Sequence, residues 1–306
     1  MVEIIATVES IEQATAIMPY IDTLFFGEET FGLRLPASFS REEQSTLIQM
    51  AHQAGKKVTI AVNGIMHPEK MTLIPEYLRF LRAQAADQIA IGDPGIIYRM
   101  QQNPECALPF IYAAETLVTS ARQINFWGRK GAIGAVLARE VPFDEMKDLA
   151  PQVDIPVEVL VYGATCIHQS KRPLLQNYYH YTQQTEEKNQ ARGLFLSEPK
   201  KEETHYSIYE DSHGTHIFAN NDLNLMEQLL ELTEHGYHTW KLDGLYTRGT
   251  AFVDIAALFA QAKAAIETDQ FTTADAMHLS TQIQALHPQN RGLDTGFYSF
   301  DRDDIK

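Results

Sequence analysis

The sequence predicts an α/β protein, a (β/α)8 TIM-type barrel with a large insertion between strands 7 and 8, and three observations carry that reading. Short apolar, β-branched runs alternate with helical segments at βα spacing, the rhythm of a parallel sheet clad in helices. The rhythm breaks after the seventh run and resumes for one more strand and helix. No Gly-x-Gly-x-x-Gly follows the first strand, which counts against the runner-up, a doubly wound dinucleotide-binding sheet.

Val2 to Val8 reads as the first strand, and Ser10 opens a helical pattern through Tyr20. Asp22 to Gly27 is the second strand, and the loop from Thr30 to Ser40 carries Arg34. Phe39 to Ala54 is a helix: Ser40 is its N-cap, Glu43 completes a capping box, and Gly55 stands just past its end. Lys57 to Val62 is a strand ending at Asn63, followed by a helix from Pro68 to Ala85. The unit repeats with strands at Asp87 to Gly92, Pro109 to Ala114 and Ala132 to Ala138, and with helices at Gly95 to Gln102, Thr119 to Gly128 and Asp144 to Ala150. Pro156 to Tyr162 is the seventh strand, and Gly163-Ala164 reads as its end, opening a loop that carries Cys166, His168, Lys171, Arg172 and Asn177.

The polar stretch from Gln183 to Lys201 reads as a mobile loop, and Tyr206 to Phe218 as a hairpin turning at Asp211 to Gly214. A helix from Asp222 to His235, a strand from His238 to Leu242 and an alanine-rich helix from Phe252 to Ile266 close the ring. The barrel is thus expected over 1–266 with its insertion at about 163–236, and a C-terminal helix and tail over 267–306.

The chain has 306 residues, 44% hydrophobic and 21% charged, a globular composition. Its formal net charge of −15 does not advertise nucleic-acid binding, which needs a concentrated positive surface. The two cysteines, Cys106 and Cys166, suit reduced thiols in the cytoplasm and cannot furnish four cluster-ligating thiolates. No export signal or apolar run of about 18 residues is read, so no membrane association is expected.

Barrel chemistry gathers at the C-terminal ends of strands. Those ends offer Glu9, Glu28, Asn63, Asp93, Glu115, Arg139, Glu140, Tyr162 and Asp243, with Lys241 inside the last strand. Such a set makes a polar pocket for an anionic or zwitterionic ligand or a metal, or else a rim of salt bridges. No HExxH or GxSxG occurs. His213 and His216 fit a polar hairpin turn as well as they fit metal ligation. Cys166 reads either as a small buried hydrophobe or as a thiol acidified by Lys171, Arg172 and His168.

Taken together the stretches resemble the collagenase-like peptidase family U-32. The matching pieces are FGLR (31–34), AHQAGKK (51–57), DPG (93–95), FW (126–127), VLARE (136–140), EVLVYGATC (158–166) with Ser170, RPLLQNY (172–178), EDSHG (210–214), NDL (221–223), KLDG (241–244) and TGFY (295–298). The family label implies proteolysis, with metal-dependent collagen cleavage claimed for some members. Better-understood relatives hold a four-cysteine iron–sulfur cluster and take part in hydroxylating RNA bases or a quinone precursor, some drawing on prephenate. The family pattern places one cysteine at Cys166 and another seven residues on, where this chain has Pro173, and residues 190–201 offer none. A cluster is therefore not expected. Tyr162 replaces a histidine, Glu115 a glutamine, Leu117 an asparagine and Leu245 an arginine.

The resemblance implies a short member that works with a longer, cluster-bearing one in hydroxylating the tRNA wobble uridine, reaching tRNA only through that partner. It assigns catalytic roles to Glu158, Arg139, Glu140 and Asp243. Arg34, Asn63, Glu115, Tyr162, Cys166, Arg172, Asn177 and Lys241 would bind a substrate or a prephenate-like carboxylate, which guanidinium groups grip in bidentate fashion; no metal ligand is assigned. A metal-dependent peptidase and a non-catalytic scaffold for the longer partner are the alternatives.

Overall fold

The computed structural model describes residues 1–114, 118–185 and 187–301, with backbone alone at 202 and 203. Strands β1 (Glu3–Thr7), β2 (Thr23–Phe26), β3 (Lys57–Val62), β4 (Gln88–Ile91), β5 (Phe110–Tyr112), β6 (Ala132–Val136) and the first half of β7 (Val157–Ser170) stand side by side in parallel. The insertion contributes β8 (Phe195–Glu198), β9 (Lys201–Asp211) and β10 (Gly214–Asn224). The eighth barrel strand, β11 (Thr239–Leu242), closes the ring by pairing in parallel with β1 on one side and β7 on the other.

Alternation along each strand decides what fills the ring. Ile5, Phe25, Ala61, Ala90 and Ala113 form one cluster with Leu35 and Val136, while Ile4, Leu24, Ile60 and Ile89 belong to the larger layer under the helices. Three of the five buried members of the inner cluster are alanines, so the barrel interior is thinly filled toward its mouth.

The helices follow the sequence closely: α1 (Ile11–Ile17), α2 (Arg41–Gln53), α3 (Pro68–Ala83), α4 (Pro94–Gln102), α5 (Ala121–Arg129) and α6 (Phe143–Leu149) alternate with the strands. The Ser40–Glu43 capping box forms, and Gly55 takes the left-handed φ of +69° that ends α2.

The insertion departs from expectation. β7 does not stop at Gly163; it runs on to Ser170 and leaves the barrel as an antiparallel partner of β10. Gly163 permits this with φ +125°, and a Cβ there would lie 2.4 Å from the carbonyl oxygen of Asp243. The loop expected from Gly163-Ala164 onward is thus sheet as far as Ser170, followed by a helix, α7 (Leu174–Thr182), that buries Leu175 and Tyr179 on one face. The polar segment before Lys201 includes the edge strand β8. The hairpin turns at Ser212-His213 as expected, but β10 continues through Asp222 to Asn224, which postpones the following helix, α8 (Leu229–Glu234).

Helix α9 (Gly249–Glu267) has a window of mean hydropathy 1.3 and is long enough to span a membrane by length and composition. Here Phe252, Ile255, Ala256, Phe259 and Ala262 bury it in the barrel's outer layer. After α10 (Thr273–Leu286), strand β12 (Gly292–Asp294) pairs with Asn221–Leu223 of β10. Arg291 fastens it there through its Nε, 2.9 Å from Asp222 Oδ1, with both side chains buried.

Candidate active site at the barrel mouth

The strand ends open into two joined chambers. The inner one, about 50 Å³, lies in the throat and is lined by Arg34, Asn63, Arg139, Glu158, Lys241 and Asp243. The outer one, about 520 Å³, shares Arg34, Asn63 and Ala113 with it and is walled by Cys166, His168 and Gln169 of the β7 extension, by Lys171 just past it and by His213 of the hairpin. That volume falls in the range of small-ligand sites.

Each throat residue is placed by an identifiable local feature. Arg34 sits on the β2–α2 loop in a left-handed conformation, φ +51°, which only a few non-glycine residues adopt. It is 8% exposed, and its Nη1 donates to Gln169 Oε1 at 2.8 Å, joining the barrel to the insertion. Asn63 ends β3 and accepts the backbone N–H of Leu33 at 2.9 Å, fixing the loop that presents Arg34. Arg139, just past β6, donates to the Ala164 carbonyl at 2.7 Å and so steadies the bend of β7. Glu158 and Lys241 project from paired strands β7 and β11, both buried, and the Lys241 ammonium lies 3.0 Å from the Phe25 ring centroid. Asp243 follows β11 and caps the backbone N–H of Leu245 at 3.0 Å.

The remaining expected residues lie elsewhere. Tyr162 is fully buried and faces the helices, its hydroxyl 2.7 Å from His287 Nδ1 and 2.8 Å from Thr247 Oγ1, because the irregular pairing beside Lys241–Leu242 turns it out of the throat. Burial first, only partly offset by the Thr247 hydrogen bond, pushes its hydroxyl well above the ordinary tyrosine range. Arg172 and Asn177 are exposed on and beside α7, since the chain there is helical rather than a loop folded over the mouth. Glu140 lies in the turn after Arg139, outside both chambers, and Glu115, like Leu117, lies outside the described residues. The other strand-end carboxylates serve the scaffold. Glu9 binds Arg248 and the Gly249 N–H, Glu28 binds Arg41, and Asp93 caps α4 at Gly95.

Sequence reasoning did not place Gln169 or His67 at the site, and weighed His213 as a hairpin-turn residue or a metal ligand rather than as a chamber wall. The run Ile167-His168-Gln169-Ser170 carries no alternation that would have signalled a strand bringing Gln169 there. His213 packs against Gly64, where a Cβ would lie 2.6 Å from its ring, and its Nε2 is 2.7 Å from the Glu29 carbonyl oxygen. Burial, only partly offset by the hydrogen bond to the Glu29 carbonyl and reinforced by the nearby Lys70 ammonium, lowers the His213 pKa below the ordinary histidine range. Burial by itself would raise the Asp211 carboxyl, but hydrogen bonds from His216 and from the His213 backbone outweigh it and hold it low. Among the described residues, no group of three or more His, Cys, Asp or Glu side chains is arranged to hold a metal ion.

The family model described as peptidase family U32 matches residues 8–306. The chain belongs to peptidase family U32. This U32 chain is similar to tRNA hydroxylation protein P2 of Bacillus subtilis, 34% identical over 277 residues that cover 89% of each chain. It is also similar to the longer tRNA hydroxylation protein P1 of the same bacterium, 27% identical over 255 residues, covering 79% of this chain and 58% of P1. Among solved structures, the U32 peptidase Mk0906 gives a TM-score of 0.46 at 15% identity, covering 54% of this chain and 70% of that one.

A four-cysteine cluster does not fit the thiols of this chain. Cys166 lies on the outer chamber wall with Sγ 3.3 Å from the His168 carbonyl. Cys106 is buried ahead of β5, at the other end of the barrel, with Sγ 3.4 Å from the Pro75 carbonyl.

Proposed function

We propose that this U32 chain acts in hydroxylation of tRNA, at the wobble uridine, as a barrel that holds a small carboxylate ligand in its throat. The observation that carries the reading is the end-to-end similarity to tRNA hydroxylation protein P2, which spans 89% of both chains. The throat supports it chemically. Arg34, Arg139 and Lys241 offer three cationic heads around one small chamber, beside the Asn63 amide. Such a set suits the carboxylate end of a prephenate-like dicarboxylate, met by fork-shaped guanidinium groups in a partly dry site while the rest of the ligand extends into the outer chamber. Glu158 and Asp243 share the chamber and serve as the proton-exchanging groups toward the bound ligand.

With two separated thiols, the chain supplies binding and orientation, and a longer, cluster-bearing family member in the cytoplasm supplies the remaining chemistry. The similarity to both a short and a long tRNA hydroxylation protein of one bacterium supports such a pairing. Mass spectrometry of tRNA nucleosides from cells with and without this gene tests the reading. Loss of 5-hydroxyuridine derivatives on deletion is the expected result, and unchanged levels overturn it.

A further inference from the structure

One stretch of this acidic chain runs against its overall charge. From residue 159 to 185 there is no Asp or Glu, while Lys171, Arg172, His168 and His180 fall inside it and the whole chain carries −15. The structure turns that stretch into a rim beside the outer chamber. His168 and Lys171 line the chamber itself, and α7 begins three residues after Lys171.

Helix α7 is firmly seated. The Glu210 carboxylate accepts the backbone N–H groups of Leu175 and Gln176 at the helix N-terminus, and Leu175 and Tyr179 pack with Ile208 and Ile217. That fixes what the other face shows. Tyr178 is 59% exposed and Tyr181 88% exposed, and with Leu174 they follow the i, i+4, i+7 spacing of a single helical stripe, about 10 Å long at the helical rise. Two acids of the hairpin beside the rim are already engaged: Glu210 by α7 and Lys188, and Asp211 by His213 and His216. Among the described residues the Arg172 side chain makes no ion pair.

We propose that this rim is a contact surface for single-stranded RNA, with Lys171 and Arg172 meeting phosphates, Tyr178 and Tyr181 stacking on bases, and the outer chamber receiving an unstacked base. Cationic side chains interleaved with exposed aromatic rings are how sequence-tolerant sites hold single strands. The exposed stripe carries two tyrosines and one aliphatic side chain, Leu174, with polar Gln176, Asn177 and His180 beside it, which favours stacking platforms over the continuous aliphatic face of a protein-docking helix. This inference rests on the tRNA reading above and departs from the expectation that a partner makes all RNA contacts.

The test uses the full-length purified chain with three fluorescent probes: an unmodified tRNA transcript, single-stranded oligouridylate and a blunt RNA duplex. The chain binds the first two, more weakly as salt rises, and binds the duplex far less. The paired substitution Tyr178→Ala/Tyr181→Ala weakens binding at least ~10-fold, and Arg172→Glu weakens it further at low salt. Circular dichroism confirms folding, which surface tyrosines do not govern. Equal affinity of wild type and variants, or no binding of any probe, overturns the proposal. So does loss of association with a purified longer U32 protein while RNA binding persists, because the stripe would then be a protein-docking face. If deleting the gene removes tRNA hydroxylation but these RNA measurements fail, the functional reading stands and only the surface falls.

Discussion

Arg34 and Gln169 meet at 2.8 Å across the barrel mouth, tying the loop after β2 to the part of β7 that has left the barrel. The bond couples the throat to the insertion, since Arg34 lines both chambers and Gln169 walls the outer one. A charged donor makes it worth roughly 1.5–3 kcal/mol where solvent is excluded, less at this half-open position. Gln169→Ala is expected to lower the melting temperature slightly and to speed hydrogen exchange in the β7 extension. Exchange rates identical to wild type would show that the bond does not hold the two parts together.

Lys241 supplies buried positive charge beside Phe25 in the throat. Lys241→Met keeps the length of the side chain and removes its charge. Calorimetric titration with prephenate is expected to show affinity lowered by roughly 10- to 100-fold, the loss of one charge-assisted hydrogen bond. Undiminished affinity would place the ligand elsewhere.

The throat exists because the inner cluster is built partly from alanines. Ala113→Phe puts a ring where the two chambers join. Overpacking costs on the order of 1–3 kcal/mol, which denaturant unfolding measures, while ligand binding is expected to vanish. A variant that still binds prephenate at wild-type affinity would contradict the placement of the site.

The C-terminal strand is held by a buried ion pair, Arg291–Asp222. Arg291→Ala leaves the Asp222 carboxylate buried without its guanidinium and is expected to cost roughly 3–5 kcal/mol in urea unfolding. Replacing both by apolar residues of similar volume, as in Arg291→Met/Asp222→Leu, is expected to recover much of that loss. Equal destabilisation by the single and double changes would refute the charge argument.

Acid should destabilise the fold at the hairpin turn and at the end of α10. Burial, foremost, depresses the pKa of His213 and His287 below the ordinary 6.5. An unfolded histidine therefore takes up a proton as pH falls through 6.5, while the folded one resists, so stability drops between that pH and the lower folded values. The lowered Asp211 pKa adds a second loss, below its ordinary 3.8. Melting temperatures measured from pH 7.5 down to 5 should decline, with a shallower slope in His213→Gln. An unchanged slope in that variant would remove His213 as a contributor.

The barrel was legible because both faces of each strand are buried, leaving short apolar runs separated by capped helices such as the one opened by Ser40 and Glu43. The insertion was not. Gly163 looked like a stop because glycine after an apolar run usually ends a strand, whereas here it lets the backbone pass close to Asp243. The β7 extension carries cysteine, histidine and glutamine rather than an apolar run, since much of it faces the chamber and solvent. The same misreading explains the site residues. Arg34, Asn63, Arg139, Glu158, Lys241 and Asp243 sit on barrel elements and converge, whereas Arg172 and Asn177, placed from the supposed loop, lie outside, Arg172 just before α7 and Asn177 on it. Tyr162 turned away through a local irregularity in strand pairing that no residue pattern announces.

The most direct test is complementation of a gene deletion followed by mass spectrometry of wobble-position nucleosides. Wild type should restore hydroxylated uridine, while Arg34→Ala and Lys241→Met, expressed at equal levels, should restore little of it. Full restoration by both variants would contradict a role for the barrel throat in tRNA hydroxylation.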